Sequence, residues 1–250
     1  MRRLYTILIL LHSRMIWLAQ PFSPKAKAWW QGRKTQEKTL TGSTEWASQK
    51  RIWIHAASYG EYEMIKPVVK RLLQHDQVRL YVSFFSPSGY ENIHFDDERM
   101  IKLYLPIDSP GRVRAFLDKL RPHKVIFVKY EFWFNLAQAL AERGIDYYYT
   151  SIHVNENSHL LRVPFFKKAL TEAHQLYAHN PESVQILKES GLSNVTMMGD
   201  TRVNHALSYL HVKKELRWTD PKPVIIYGSA TLAEIPMITQ AIQALSLIHI

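Results

Sequence analysis

Residues 54–73 read IHAASYGEYEMIKPVVKRLL. A short apolar run ends at Ser58-Tyr59-Gly60-Glu61, and an amphipathic stretch follows at once, with Ile65, Val68, Val69, Leu72 and Leu73 on one helical face. This is a strand feeding a helix through a short turn, the unit from which parallel sheets are built. The turn also places a carboxylate, Glu61, where the first N–H groups of a helix are unpaired and carry partial positive charge. Two readings of Glu61 follow: a first-turn acid that complements the helix, or a general base held at the mouth of the turn.

The same rhythm recurs along the chain. Runs rich in β-branched and aromatic residues lie at 52–57, 79–85, 102–105, 124–129, 146–152, 175–178 and 195–198. Helical patterns separate most of them, at 112–120, 135–143 and 181–190, the last closed by Gly191. The spacing predicts an α/β fold over residues 51–220, a Rossmann-like parallel sheet with helices on both faces. Such sheets bind ligands at the carboxyl ends of their strands.

Three polar loops fall at those ends. Ser58-Tyr59-Gly60-Glu61 lacks the GxGxxG spacing of a dinucleotide site; one Gly beside one Glu suits a hydroxyl substrate that must lose a proton. Ser86-Pro87-Ser88-Gly89 offers hydroxyl and N–H groups to a phosphate or sugar, or is a turn with an N-cap. Glu131, in Tyr130-Glu131-Phe132-Trp133-Phe134-Asn135, sits in an aromatic cluster, where a carboxylate needs a partner or a raised pKa. It either caps the following helix or orients a sugar hydroxyl. Further on, Arg202 in Gly199-Asp200-Thr201-Arg202 suits a forked contact to an anion, and Ser229 in Gly228-Ser229-Ala230-Thr231 can offer its hydroxyl to a phosphate.

Other chemistries find no motif. There is no cysteine, hence no disulfide, thiolate metal site or Cys nucleophile. The twelve histidines form no HExxH and no pair at ligand spacing, and His55, His94 and His153 read as packing or surface residues. No GxSxG elbow appears. No metal and no cofactor are expected.

The formal charge of +10 is concentrated at one end, where residues 1–50 hold nine Lys or Arg and two Asp or Glu. That leaves the remaining residues near balance and argues against a nucleic-acid partner, which needs basic residues spread over a folded face. The basic segment flanks an apolar stretch, residues 4–22, interrupted by His12, Ser13 and Arg14 and shorter than the ~20 apolar residues of a spanning helix. No small-x-small cleavage site follows it. Residues 1–34 are expected to be a helix and basic segment associated with an anionic inner-membrane surface, with Trp17, Trp29 and Trp30 at the interface and Lys25, Lys27, Arg33 and Lys34 facing headgroups. The alternative is an amphipathic helix packed on the domain. Residues 35–50 read as a linker.

Pro221-Lys222-Pro223 suits an interdomain linker. Residues 221–250 then read as a linker and the start of a second domain, ending in mid-helix pattern without a cap. The expectation is a chain truncated at its C-terminus, with most of the second domain missing and no activity by itself.

Taken in order, PFSPKAKAWWQGRK, IWIHAASYGE, FFSPSGYE, LYLPID with VKYEFWFN, and MGDTRVNH resemble the 3-deoxy-D-manno-octulosonic acid (Kdo) transferases over roughly residues 1–230. The SPSGYE and GDTR variants look like the Bacteroidetes branch. The resemblance implies a two-domain GT-B fold whose N-terminal domain binds a lipid A precursor and whose C-terminal domain holds CMP-Kdo. It implies an inverting, metal-free transfer on the cytoplasmic face of the inner membrane. Residue by residue, it implies that Glu61 is the general base and Glu131 the second site glutamate. It places Ser58, Gly60, Ser86, Ser88 and Gly89 on the acceptor side, and Arg202 and Ser229 on the donor side. The segment after the linker departs from the family pattern, since Gly228-Ser229-Ala230-Thr231-Leu232-Ala233-Glu234 lacks a Trp. The competing readings are another GT-B glycosyltransferase with a different nucleotide sugar, and a non-catalytic membrane-associated module in which both glutamates only cap helices.

Overall fold

Seven short strands pair side by side, all parallel, in the order β3-β2-β1-β4-β5-β6-β7. The computed structural model describes residues 2–40, 48–129, 131–199, 203, 207, 227–229 and 231–244. The strands are β1 (Lys50–His55), β2 (Val78–Phe84), β3 (Met100–Tyr104), β4 (Lys124–Val128), β5 (Asp146–Ile152), β6 (Gln175–Ala178) and β7 (Val195–Met197). The connecting helices are α3 (Tyr59–Leu72), α4 (Pro87–Asn92), α5 (Pro110–Leu120), α6 (Phe134–Glu142), α7 (His159–Arg162), α8 (Pro164–Glu172) and α9 (Pro181–Glu189), preceded by α1 (Arg2–Leu18) and α2 (Pro24–Thr39). Contacts divide the chain into two units, Met1–His211 and Val212–Ile250; in the second, α10 spans Ile235–Ala244.

The central strands are covered on both faces, which is why they read as continuous apolar runs. Every residue of β2 is buried. Alternation along β1 sends Trp53 to a core shared with Val113, Phe116, Phe127 and Leu136, and Ile52 and Ile54 to a second core with Tyr62, Ile65, Val69 and Val82. The expected α/β, Rossmann-like architecture is the observed one. The strand order reverses between β1 and β4, and in such sheets the reversal opens the ligand crevice.

Two N-terminal expectations need correction. Residues 35–39, expected in a linker, continue α2, and residues 41–47 of that expected linker lie outside the described residues. Arg33 and Trp29 are buried against the sheet rather than laid out on an exposed basic face. The Arg33 guanidinium donates to the carbonyls of Leu105 (2.9 Å), Phe85 (2.9 Å) and Trp29 (3.1 Å), and so ties α2 to the ends of β2 and β3. A Cβ at Gly32 would collide with the Tyr104 ring, so α2 lies directly on β3.

α1 has two characters. Its inner side is polar and specific: the Tyr5 hydroxyl donates to Asp108 (2.6 Å), Arg2 Nε to Asn135 Oδ1 (3.2 Å), and Asn135 Nδ2 to Thr6 Oγ1 (3.1 Å). Its outer side exposes Leu4, Ile7, Leu8, Leu11, Met15 and Leu18, an unbroken stripe at helical spacing, and Phe22 beyond it is 89% exposed. Among the described residues no helix is long and apolar enough to cross a membrane.

Asp108 holds this junction. Burial pushes its carboxyl up to about 6, although the Tyr5 hydroxyl, the N–H groups of Asn135 and Leu136, and Arg2 all favour the charged form. A carboxyl raised in the folded state above its ordinary ~3.9 stabilises the fold below pH ~4, and that contribution is lost as pH rises through about 6. Tyr5→Phe removes one donor to the charged form. It is expected to cost about 1–2 kcal/mol in urea unfolding and to move the Asp108 titration further up by carboxyl NMR; an unchanged titration would contradict the contact.

Candidate active site

The β1–α3 turn is built as a capping box. Ser58 is the N-cap of α3, its hydroxyl accepts the Glu61 N–H (3.4 Å), and the Ser58 N–H donates back to Glu61 Oε2 (3.1 Å). The local reading of Glu61 as a helix-capping acid is therefore correct as far as it goes. Its carboxyl is nevertheless held above the usual carboxylate range, first by burial and then by the charge of Glu131, against the N–H groups of Ala57 and Ser58 and the nearby His55. A carboxylate made more basic in this way is matched to taking a proton.

Glu131 follows β4, the strand paired with β1. Its Oε2 accepts from the indole of Trp133 (2.8 Å) and from His55 Nε2 (3.0 Å). It does not cap α6. The first N–H groups of that helix, on Asn135 and Leu136, go to the Asp108 carboxylate (3.1 and 2.9 Å), and the N-cap position, Trp133, makes no side-chain cap bond. The capping alternative is thus excluded for Glu131, whose carboxylate is held by an imidazole and an indole.

His55 is a packing residue, as expected, with a site contact that sequence reasoning did not supply. It is fully buried, and the packing role expected for it is only part of its environment. Its Nδ1 lies 2.9 Å from Ser83 Oγ, which in turn accepts the Trp53 indole N–H at 2.8 Å. The same Nδ1 lies 3.0 Å from the Ser83 carbonyl oxygen, and Nε2, facing a carboxylate that can only accept, carries the hydrogen of the Glu131 contact. The available signal was an ionisable residue ending a strand that is otherwise apolar inside the sheet.

The second loop is adjacent to the first. Ser86 is the N-cap of α4; its hydroxyl accepts the Gly89 N–H (3.2 Å) and lies 3.3 Å from the Ser88 hydroxyl. A Cβ on Gly89 would stand 2.9 Å from Phe84 Cδ1 and 3.3 Å from the Tyr59 backbone nitrogen, so glycine lets the two loops touch. At Gly60 a Cβ would meet nothing within 4 Å, so that face of the turn is open. The structure therefore brings together Ser58, Gly60, Glu61, Ser86, Ser88, Gly89 and, through its charge, Glu131. Arg202 lies outside the described residues. Ser229 is exposed in the second unit, with a left-handed backbone (φ 60). Among the described residues no group of three His, Asp or Glu side chains is placed to hold a metal ion.

A family model of 3-deoxy-D-manno-octulosonic-acid transferase (kdotransferase) matches residues 28–205, more than half of the chain. The chain belongs to the Kdo transferase family. It is 26% identical over 210 residues to a 3-deoxy-D-manno-octulosonic acid transferase of Bordetella pertussis, covering 78% of this chain and 48% of that protein. It is 33% identical over 111 residues to that of Haemophilus influenzae, covering 43% and 26%. A solved UDP-GlcNAc 2-epimerase from Neisseria meningitidis bound to UDP-GlcNAc superposes with a TM-score of 0.47 at 13% identity, over 78% of this chain and 53% of that one. The chain spans about half or less of the length of these curated relatives. The family match contains Glu61, His55, Glu131, the 86–89 loop and Arg202; Ser229 lies beyond it.

Two measurements check this geometry. Glu131→Gln removes the neighbouring charge and should lower the Glu61 carboxyl titration in carbon-detected NMR; an unmoved titration would mean the two carboxyls do not sense each other. Gly89→Ala should lower stability by about 1–3 kcal/mol through overpacking. Gly60→Ala, helical and unobstructed, should be neutral or slightly stabilising in the same unfolding assay.

Proposed function

We propose that this chain is the acceptor-binding half of an inverting glycosyltransferase that moves Kdo from CMP-Kdo to a lipid A precursor in lipopolysaccharide synthesis. The observation that carries the reading is the pair of carboxylates at the ends of β1 and β4, with Glu61 raised partly by the charge of Glu131. Family membership supports it.

In this reading the Glu61 carboxylate takes the proton of an acceptor hydroxyl. The hydroxyl oxygen bonds to the anomeric carbon of Kdo from the side opposite the phosphate, the bond to CMP breaks with its electron pair, and the configuration inverts. A base so placed contributes roughly 10²–10⁴ in rate, and holding lipid and donor together contributes more. Glu131, fixed by His55 and Trp133, keeps Glu61 basic. Ser58, Gly60, Ser86, Ser88 and Gly89 form the acceptor side; Arg202 and Ser229 are assigned to the donor side. No step uses a metal or cofactor.

The same reading places the protein on the anionic cytoplasmic face of the inner membrane. The apolar outer stripe of α1 suits a helix lying in the interface, and the bonds from Tyr5 and Arg2 keep it docked beside the Glu131 loop.

Glu61→Gln separates capping from catalysis, because Gln at this position also completes a capping box. In the intact enzyme that carries this domain, transfer of labelled Kdo from CMP-Kdo to lipid A precursor should fall by at least ~100-fold while the melting temperature holds. Undiminished transfer would leave Glu61 a helix cap and nothing more.

A further inference from the structure

Arg33 is 4% exposed, and its guanidinium donates to three neutral carbonyl oxygens. Its guanidinium carbon also sits 3.8 Å from the centroid of the Trp29 ring. Among the described residues no carboxylate forms an ion pair with it. Burial lowers its pKa to about 9.

Arg33 lines a cavity of about 290 Å³ between the end of α1, α2 and the start of α5, together with Trp17, Trp30, Lys34, Glu37, Ile107 and Arg112. The one acid there, Glu37, already accepts from Arg112 at 3.0 Å. Lys34 has no carboxylate partner among the described residues. Three cations and one anion therefore face a single cavity, and two of the cations lack a counter-charge. At about 30 Å³ per water, the volume corresponds to roughly ten waters and admits a phosphate ester with room to spare. Guanidinium and ammonium groups lining one cavity suit phosphate oxygens. Two tryptophans flank the cavity, and Trp17 lies near the end of α1, the helix that carries the exposed apolar stripe. A ligand that satisfies both features has a phosphate and an acyl chain.

We propose that this cavity is a discrete site for the headgroup phosphate of a membrane lipid, which supplies the counter-charge missing beside Arg33 and Lys34. The choice of a lipid as the phosphate's source rests on the interfacial placement of α1 argued above, whereas the phosphate chemistry rests on the cavity.

The test is calorimetric titration of the whole chain with dihexanoyl phosphatidic acid below its micelle concentration, with tryptophan fluorescence as a second readout. Saturable one-to-one binding is expected. Lys34→Gln should weaken it roughly tenfold, with the circular dichroism unchanged. Lys25→Gln makes the same charge change on the same helix outside the cavity, and should weaken binding less than twofold. Equal losses in the two variants would reduce the site to diffuse attraction and overturn the proposal, as would absence of saturable binding by the unaltered chain. Inorganic phosphate binding as tightly as the lipid would overturn the lipid source. Flotation with phosphatidylglycerol vesicles keeps the two readings apart. A chain that floats but shows no saturable site contradicts only this proposal; one that binds the short-chain lipid but does not float contradicts only the interfacial reading.

Discussion

The hydrogen bond from His55 Nε2 to Glu131 crosses the one place in the sheet where strand order turns back. β1 and β4 are neighbours there although more than sixty residues separate them, so the loops that follow them must open away from each other. Everything assigned to the site depends on that constraint. It sets the Glu131 charge near Glu61, and it lets a buried line of hydrogen-bonded groups, Trp53, Ser83 and His55, end on the Glu131 carboxylate. Burial and the charge of Glu131 together raise the proton affinity of Glu61.

The flank of the sheet is attached to the same loops by two buried charges of opposite sign. Asp108 gathers the start of α6 and the hydroxyl of Tyr5, and so docks α1. Arg33 gathers carbonyls at the ends of β2 and β3, and so docks α2. Phe85, whose carbonyl Arg33 holds, stacks on Trp133 at 5.3 Å, and Trp133 is the indole that binds Glu131. The two N-terminal helices are thus mechanically continuous with the candidate site rather than a detachable anchor. In the proposed reading, the outer apolar stripe on α1 marks the side of the site that faces a lipid surface.

Much of this was legible in the residues. Strands buried on both faces appear as apolar runs, and seven such runs separated by helical patterns already imply a parallel sheet. Ser58 and Glu61 stand at capping-box spacing, and the structure contains that box. What local pattern cannot convey is partnership across the sheet. His55 looks like any residue of a buried strand until β4 is known to lie beside β1. Glu131 looks like a cap for α6 until Asp108, from a different loop, is seen to do that work. Arg33 and Trp29 read as interfacial because a basic and aromatic segment flanks an apolar stretch, while their packing partners include carbonyls and rings some 50 to 75 residues away. α8 escaped notice because Pro164 splits a short stretch of which only Ala169 and Leu170 are buried.

The most direct test of the central claim is a crystal structure of the domain with a lipid A precursor bound. The account predicts that the acceptor hydroxyl lies about 3 Å from a Glu61 carboxylate oxygen, above the ends of β1 and β4, with the His55–Glu131 bond intact. An acceptor seated away from those strand ends, with Glu61 still turned only to the Ser58 N–H, would contradict it.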